Sequence, residues 1–270
     1  MKKRLSYTLF AITLFFKLSA FSQTTTRIFD QVLFYDGYAD TAILPKPAPA
    51  GVLRHSPSFS DPPLTAAQLS NIGSSLGMKI LVKASCDNYD RIGNVFLAFT
   101  HKGDTIYHPN NTKRLEIARF ITPFMNKNKM PDTVPYFFQI DNIAALLNNE
   151  QLKDSCDLWL ELGIFGVPYA ANTQVAGCSG RSDVFYGTVD FISNTPGAGK
   201  PDNILEILAN NVSFNNYATG ATDTIGKTTK TISFTLDSTC YNSKLYLITS
   251  NHGANTGGEE YNRRMHYVYV

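Results

Sequence analysis

The chain has 270 residues, 43% of them hydrophobic and 12% aromatic, and a formal charge of +2 at neutral pH. Four positive residues (Lys2, Lys3, Arg4, Lys17) and no acid fall in the first 22 positions, so removing that segment takes the charge from +2 to about −2. A nucleic-acid partner gains no support from such a balance, and the remaining ~248 residues suffice for one large or two small domains with real cores.

Residues 1–22 read as a secretory signal: a basic start, a short apolar run over 7–16, and Ala20-Phe21-Ser22 as a small-residue cleavage site. The apolar run is too short to span a bilayer, and no cysteine near the cleavage site offers a lipid anchor. The mature protein is expected to be exported and soluble, whether secreted, periplasmic or at the cell surface, and a monomer. Helical periodicity is scarce, limited to 143–152 and a weaker turn near 66–72. Elsewhere short runs alternate apolar and polar residues, as at 79–83, 95–99, 184–191 and 244–249, separated by Gly, Pro, Asn and Asp. That pattern predicts an all-β fold, an eight-stranded antiparallel jelly-roll sandwich over 24–195. Residues 193–201 have linker composition. A second jelly roll then begins over 201–270, and the strand pattern at 265–270 leaves it incomplete.

The most informative segment is Cys86-Asp87-Asn88-Tyr89-Asp90-Arg91-Ile92-Gly93-Asn94-Val95-Phe96-Leu97. Two carboxylates and a guanidinium in a short turn run straight into an apolar strand, which sets charged groups on a rigid strand mouth. Several other chemistries fit poorly. Gly197-Ala198-Gly199-Lys200 lacks the spacing and the Ser/Thr of a phosphate loop. Gly177-Cys178-Ser179-Gly180 lacks the final glycine and following helix of a nucleophile elbow. The histidines (His55, His101, His108, His252, His266) show no metal-ligand spacing, and the turn is at best a weak calcium site. No metal and no cofactor is expected. The four cysteines (Cys86, Cys156, Cys178, Cys240) suit disulfides in an exported chain, with three connectivities open.

Residues 86–97 resemble the segment Cys-Asp-Glu-Trp-Asp-Arg-Tyr-Ala-Asn-Val-Tyr-Val of the peptide-N-glycosidase F family. Four further segments are similar to that family in the same order: 116–124, 142–147, 152–160 and 257–266. The resemblance implies hydrolysis of the amide joining an N-linked glycan to asparagine in glycoproteins or glycopeptides. It puts Asp90 on the catalytic aspartate, with Asp157 and Glu260 as supporting carboxylates. Arg91, Tyr89, Trp159 and Tyr261 become substrate-binding residues, Trp159 as a stacking face for N-acetylglucosamine.

Departures from the family accompany the match. Gly258 and Asn262 stand where the family has cysteines around the third carboxylate, and Asp157 is one methylene shorter than the family's glutamate. Cys86 lacks its near partner upstream, so it pairs with Cys178 or Cys156 or stays free. Residues 164–181 look like an inserted hairpin. The departures favour a rival reading, a non-catalytic glycan- or protein-binding module on the same scaffold.

Overall fold

The computed structural model describes residues 23–39, 48–194, 229–235, 239–241, 243–249 and 266–270. Among them, nine strands build two antiparallel sheets. The first sheet runs β1 (Gln23–Tyr35), β9 (Asp183–Asn194), β4 (Leu76–Ala84), β7 (Thr133–Gln139). The second runs β2 (Leu53–Ser56), β3 (Phe59–Asp61), β8 (Cys156–Ile164), β5 (Ile92–His101), β6 (Lys113–Ile121).

Alternation explains why these segments pair and pack as they do. In β4 every second residue, Leu76, Met78, Ile80, Val82 and Ala84, is buried. In β8 the same period buries Leu158, Leu160, Leu162 and Ile164 from the opposite sheet, and both rows join one hydrophobic core. Asp157, Trp159 and Glu161 alternate with that row, so they belong to the outer face of the five-stranded sheet.

The mostly β architecture agrees with the alternation in the sequence. Nine strands stand where eight were expected, because β2 and β3 form a short pair whose segment 53–61 carries no clear apolar period. The expected helix over 143–152 is two helices, α2 (Asp141–Leu147) and α3 (Glu150–Ser155), following α1 (Ala66–Ser70). The break is at Asn148 and Asn149: Asn149 leaves helical geometry, and its side chain caps α3 by accepting from the Leu152 amide. The hairpin expected at 164–181 is instead α4 (Tyr169–Gln174) followed by turns at Gly177 and Gly180, both at positive φ. Pro168 sits at the N-cap and Ala170 and Ala171 favour helix there. Residues 244–249 and 266–270, which alternate like strands, join no ladder among the described residues and are mostly exposed.

One disulfide, Cys86–Cys178, spans 92 positions of sequence and ties the β4–β5 turn to the segment after α4. Cys156 keeps a free thiol, so it is not the partner of Cys86. The signal-like residues 1–22 and the linker-like residues 195–201 lie outside the described residues. No helix among the described residues is long and apolar enough to cross a membrane.

Candidate active site

The turn over 85–91 is held at both ends by strand backbone. Ser85 and Cys86 donate to the carbonyls of Val184 and Asp183 on β9, and the Thr122 amide at the end of β6 donates to the Arg91 carbonyl at 2.7 Å. The Asp87 carboxylate organises the interior of the turn. Its Oδ1 accepts from the Tyr89 amide at 2.9 Å, while Oδ2 accepts from Arg91 Nε and from the Val167 amide, both at 2.7 Å. An aspartate that bonds the amide two residues on is an Asx turn, which is why a short polar side chain belongs here. Asp87 is fully buried, so its charge is matched by a guanidinium and two backbone donors rather than by water.

With Asp87 so occupied, Asp90 is left differently. It is only 6% exposed, yet its Oδ2 meets no hydrogen-bond donor among the described residues. A buried carboxylate oxygen without a partner is costly, and active sites are where such costs are tolerated. Beside it, Tyr89 is 43% exposed and touches Phe124, which is 64% exposed, with ring centroids 5.0 Å apart at 64°. Arg91 lies over the Tyr89 ring at 5.2 Å. Arg91 is thus committed to Asp87 and Tyr89, which makes it a residue that shapes the turn rather than one that reaches out for substrate.

Two of the expected site residues are not brought to this turn. Asp157 pairs with Thr100 across the β5–β8 ladder, near its far end. About ten residues of strand, roughly 30 Å at ~3.3 Å each, separate it from Asp90. There it meets Lys102 Nζ at 2.9 Å and the Gly103 amide at 2.7 Å. Burial raises its pKa, but the Lys102 and Gly103 bonds outweigh that and hold the carboxyl below the usual aspartate range. Trp159 is 3% exposed, donates through Nε1 to Thr100 Oγ1 at 3.1 Å, and packs edge-on against Tyr107. Little of the ring is exposed, and what is exposed faces a groove at this end of the ladder. An open groove of ≈ 920 Å³ lies at this end, lined by Leu53, Leu64, Leu69, Lys102, Asp157 and Trp159, and not at Asp90. Glu260 and Tyr261 lie outside the described residues.

Asp87 and Phe124 are not among the residues to which the resemblance assigns a role. The Asx-turn spacing was the available signal for Asp87, while nothing in the sequence marked the Phe124 ring as exposed. A buried polar group on the outer face of the five-stranded sheet likewise has no mark in the sequence pattern. There Tyr107 and Arg114 bond the two oxygens of Glu161 at 2.5 and 2.6 Å, and His55 Nε2 lies 2.6 Å from Asp61 Oδ1. Burial pushes the Glu161 carboxyl up despite the Arg114 and Tyr107 bonds. The groove does not reach Glu161, Asp61 or His55. Among the described residues, no group of three or more His, Cys, Asp or Glu is arranged to hold a metal.

Two family models match this sequence: peptide-N-glycosidase F, N terminal, over residues 63–180, and peptide-N-glycosidase F, C terminal, over residues 217–270. The chain belongs to the peptide-N-glycosidase F family. Within the family's N-terminal match lie the whole Asp87–Asp90 turn, Phe124, Asp157 and both cysteines of the Cys86–Cys178 bridge; the C-terminal match contains Glu260. No curated relative matches. Among solved structures, PNGase F, a glycosylasparaginase from Flavobacterium meningosepticum, is similar at 17% identity with a TM-score of 0.35; the match covers 65% of this chain and 43% of that one. A recombinant peptide:N-glycanase F is similar at 17% identity and a TM-score of 0.32, over 64% of this chain and 43% of that one. This chain therefore spans less than half the length of those two proteins.

Proposed function

We propose that this protein is an exported peptide-N-glycosidase that hydrolyses the amide between asparagine and N-acetylglucosamine in N-linked glycoproteins or glycopeptides, with Asp90 as its central carboxylate. The observation that carries the reading is the buried, unpartnered Oδ2 of Asp90 at the mouth of β5. Membership of the peptide-N-glycosidase F family supplies the reaction class.

In this reading Asp90 takes a proton from a water molecule whose oxygen bonds to the amide carbon. The carbon–nitrogen bond then breaks, and the proton passes to the departing nitrogen. The products are a glycosylamine and an aspartate side chain. No metal takes part in the reading. Glu260, on the C-terminal part of the family match, is the proposed second carboxylate, and Tyr261 beside it a substrate contact. The two sheets are taken as a jelly roll over 24–195, with a second beginning at 201, a cleaved signal over 1–22, and a monomeric state.

One observation favours the rival binding module. Asp157, which the resemblance made a catalytic partner, is tied to Lys102 at the far end of the ladder. If chemistry needs only Asp90 and Glu260, that placement is harmless; if it needs all three, this chain binds without cutting.

The test is glycan release from a denatured N-glycoprotein by the full chain, with Asp90→Asn alongside. Release by the native protein that falls by about a hundredfold or more in Asp90→Asn supports the amidase, since a positioned general base contributes about 10²–10⁴-fold. Absence of release from the folded native protein sinks the enzyme and leaves the binding module.

A further inference from the structure

On the outer face of the five-stranded sheet, Asp157, Trp159 and Glu161 form a row along β8, and one stretch of chain engages all three. Residues 102–107, between β5 and β6, bond Asp157 through Lys102 Nζ at 2.9 Å and the Gly103 amide at 2.7 Å. Tyr107 then packs edge-on against Trp159 and donates its hydroxyl to Glu161 Oε1 at 2.5 Å. Little else holds this strap. Of residues 102–108 only Tyr107 is not exposed, and Ile106 is left 70% exposed. The Lys102–Asp157 pair is open to solvent and contributes little, so the closed position depends on Tyr107. Lys102, Gly103, Asp104 and Thr105 line the groove together with Asp157 and Trp159, and moving the strap therefore changes the groove.

The group to which Tyr107 is fastened is not neutral by itself. Ladder register sets Asp61 of β3 beside Glu161, and both carboxylates are fully buried. Arg114 of β6 matches Glu161 at 2.6 Å. Asp61 Oδ1 faces His55 Nε2 of β2 at 2.6 Å, and the His55 ring lies 4.6 Å from that of Tyr107. Neither Asp61 oxygen has a well-formed hydrogen bond among the described residues. Arg54, next to His55 in the chain, is turned to the Leu33 carbonyl at 2.9 Å and to the Tyr35 ring. The Tyr107 hydroxyl has both carboxylates beside it and a single proton to give. Two buried negative charges thus face one guanidinium, and the set is neutral only with one added proton, on the His55 imidazole or on a carboxylate. Burial already pushes the Glu161 carboxyl up, and an uncompensated buried charge is costly.

We propose that residues 102–107 are a proton-controlled strap, closed over Asp157, Trp159 and the groove while the His55–Asp61–Glu161–Arg114 cluster holds its added proton, and released when that proton leaves. The sign follows from counting protons. The closed state binds one proton more than the open state, in which water solvates the carboxylates. Closure is therefore complete at low pH and is lost as the pH rises. Above the transition the ratio of closed to open falls about tenfold per pH unit, the mark of one proton. The strap goes beyond the amidase reading and makes no use of Asp90.

Trp159 is the only tryptophan of the chain, so its fluorescence reports the strap. The experiment measures acrylamide quenching of Trp159 in the full chain from about pH 5 to about pH 9, the span in which imidazoles and raised carboxyls change charge. Far-ultraviolet circular dichroism is the fold control. The expected result is red-shifted emission and stronger quenching as the pH rises, spread over about two pH units as one proton requires. Asp61→Asn removes one carboxylate, leaves Glu161 matched by Arg114, and is expected to keep Trp159 shielded throughout. Tyr107→Ala removes the anchor and is expected to leave Trp159 open to quenching at every pH. Quenching of the folded native protein that does not change with pH overturns the proposal, as does a native-like transition in folded Asp61→Asn or Tyr107→Ala. Loss of glycan release with the Trp159 transition intact removes only the amidase and leaves the strap standing.

Discussion

At the scale of single residues, the turn over 85–91 shows how two aspartates three positions apart acquire different tasks. Asp87 takes the donors: two backbone amides and a guanidinium leave it fully paired. Asp90 receives none on Oδ2, a buried oxygen with no partner among the described residues. Their roles then separate under mutation. Asp87→Asn keeps the shape but removes the charge that Arg91 matches, and breaking such a buried pair costs about 3 kcal/mol. The expected outcome is a lower denaturant midpoint together with slower glycan release, as the turn no longer holds Asp90 in place. Asp90→Asn, by contrast, removes activity and leaves the midpoint unchanged or raised, because Oδ2 has no hydrogen-bond donor to lose. Denaturant titration of both variants beside the release assay separates the two roles.

At the scale of elements, β5 carries the constraint that fixes the site. Gly93, just inside the strand, lies against Phe120 of β6: a Cβ there would stand 2.1 Å from the Phe120 ring. Gly93→Ala forces that ring to move and is expected to cost about 1–3 kcal/mol, the usual range for overpacking, seen as a lower melting temperature. The helical region shows a milder dependence. Asn148 ends α2 and Asn149 caps α3, a choice that a periodicity count over 143–152 does not see. Asn149→Ala is expected to lose about 1 kcal/mol, measured by thermal unfolding, without change at the Asp90 turn.

At the scale of the whole molecule, the Cys86–Cys178 bridge closes a loop of 92 positions and joins the residue before Asp87 to the segment that roofs it. By the loop-entropy model a closure of that length is worth about 4–5 kcal/mol. Reduction, or Cys86→Ser with Cys178→Ser, is expected to lower stability by about that amount and to loosen the Val167 contact with Asp87. Unfolding free energies with and without reductant check this. Acid has a defined sign as well. Burial raises the pKa of Asp183, but the Arg181 guanidinium and the Ser85 hydroxyl outweigh burial, so the folded carboxyl stays below its unfolded value. A depressed folded pKa gives stability that is complete above the ordinary aspartate pKa of about 3.9 and is lost as the pH falls below it. Asp183→Asn should therefore lose stability at neutral pH and show a flatter acid limb below about pH 4, read from melting temperatures across pH.

The sequence by itself determined what depends on near neighbours: a mostly β chain from its alternation, and the 86–97 turn as a place where carboxylates gather. Five segments in order also sufficed to name the family. Each of these is local or additive along the chain, so no knowledge of packing is required. What only the tertiary structure decided is which of those groups meet. Ladder register places Asp157 opposite Thr100, far from Asp90, and the outer-face cover of Tyr107 buries Trp159. The end of β6 brings Phe124 to Tyr89 across 35 positions of sequence. Register and cover are set by strands distant in sequence, because a strand's partner is chosen by the whole core it helps to bury and not by its own residues.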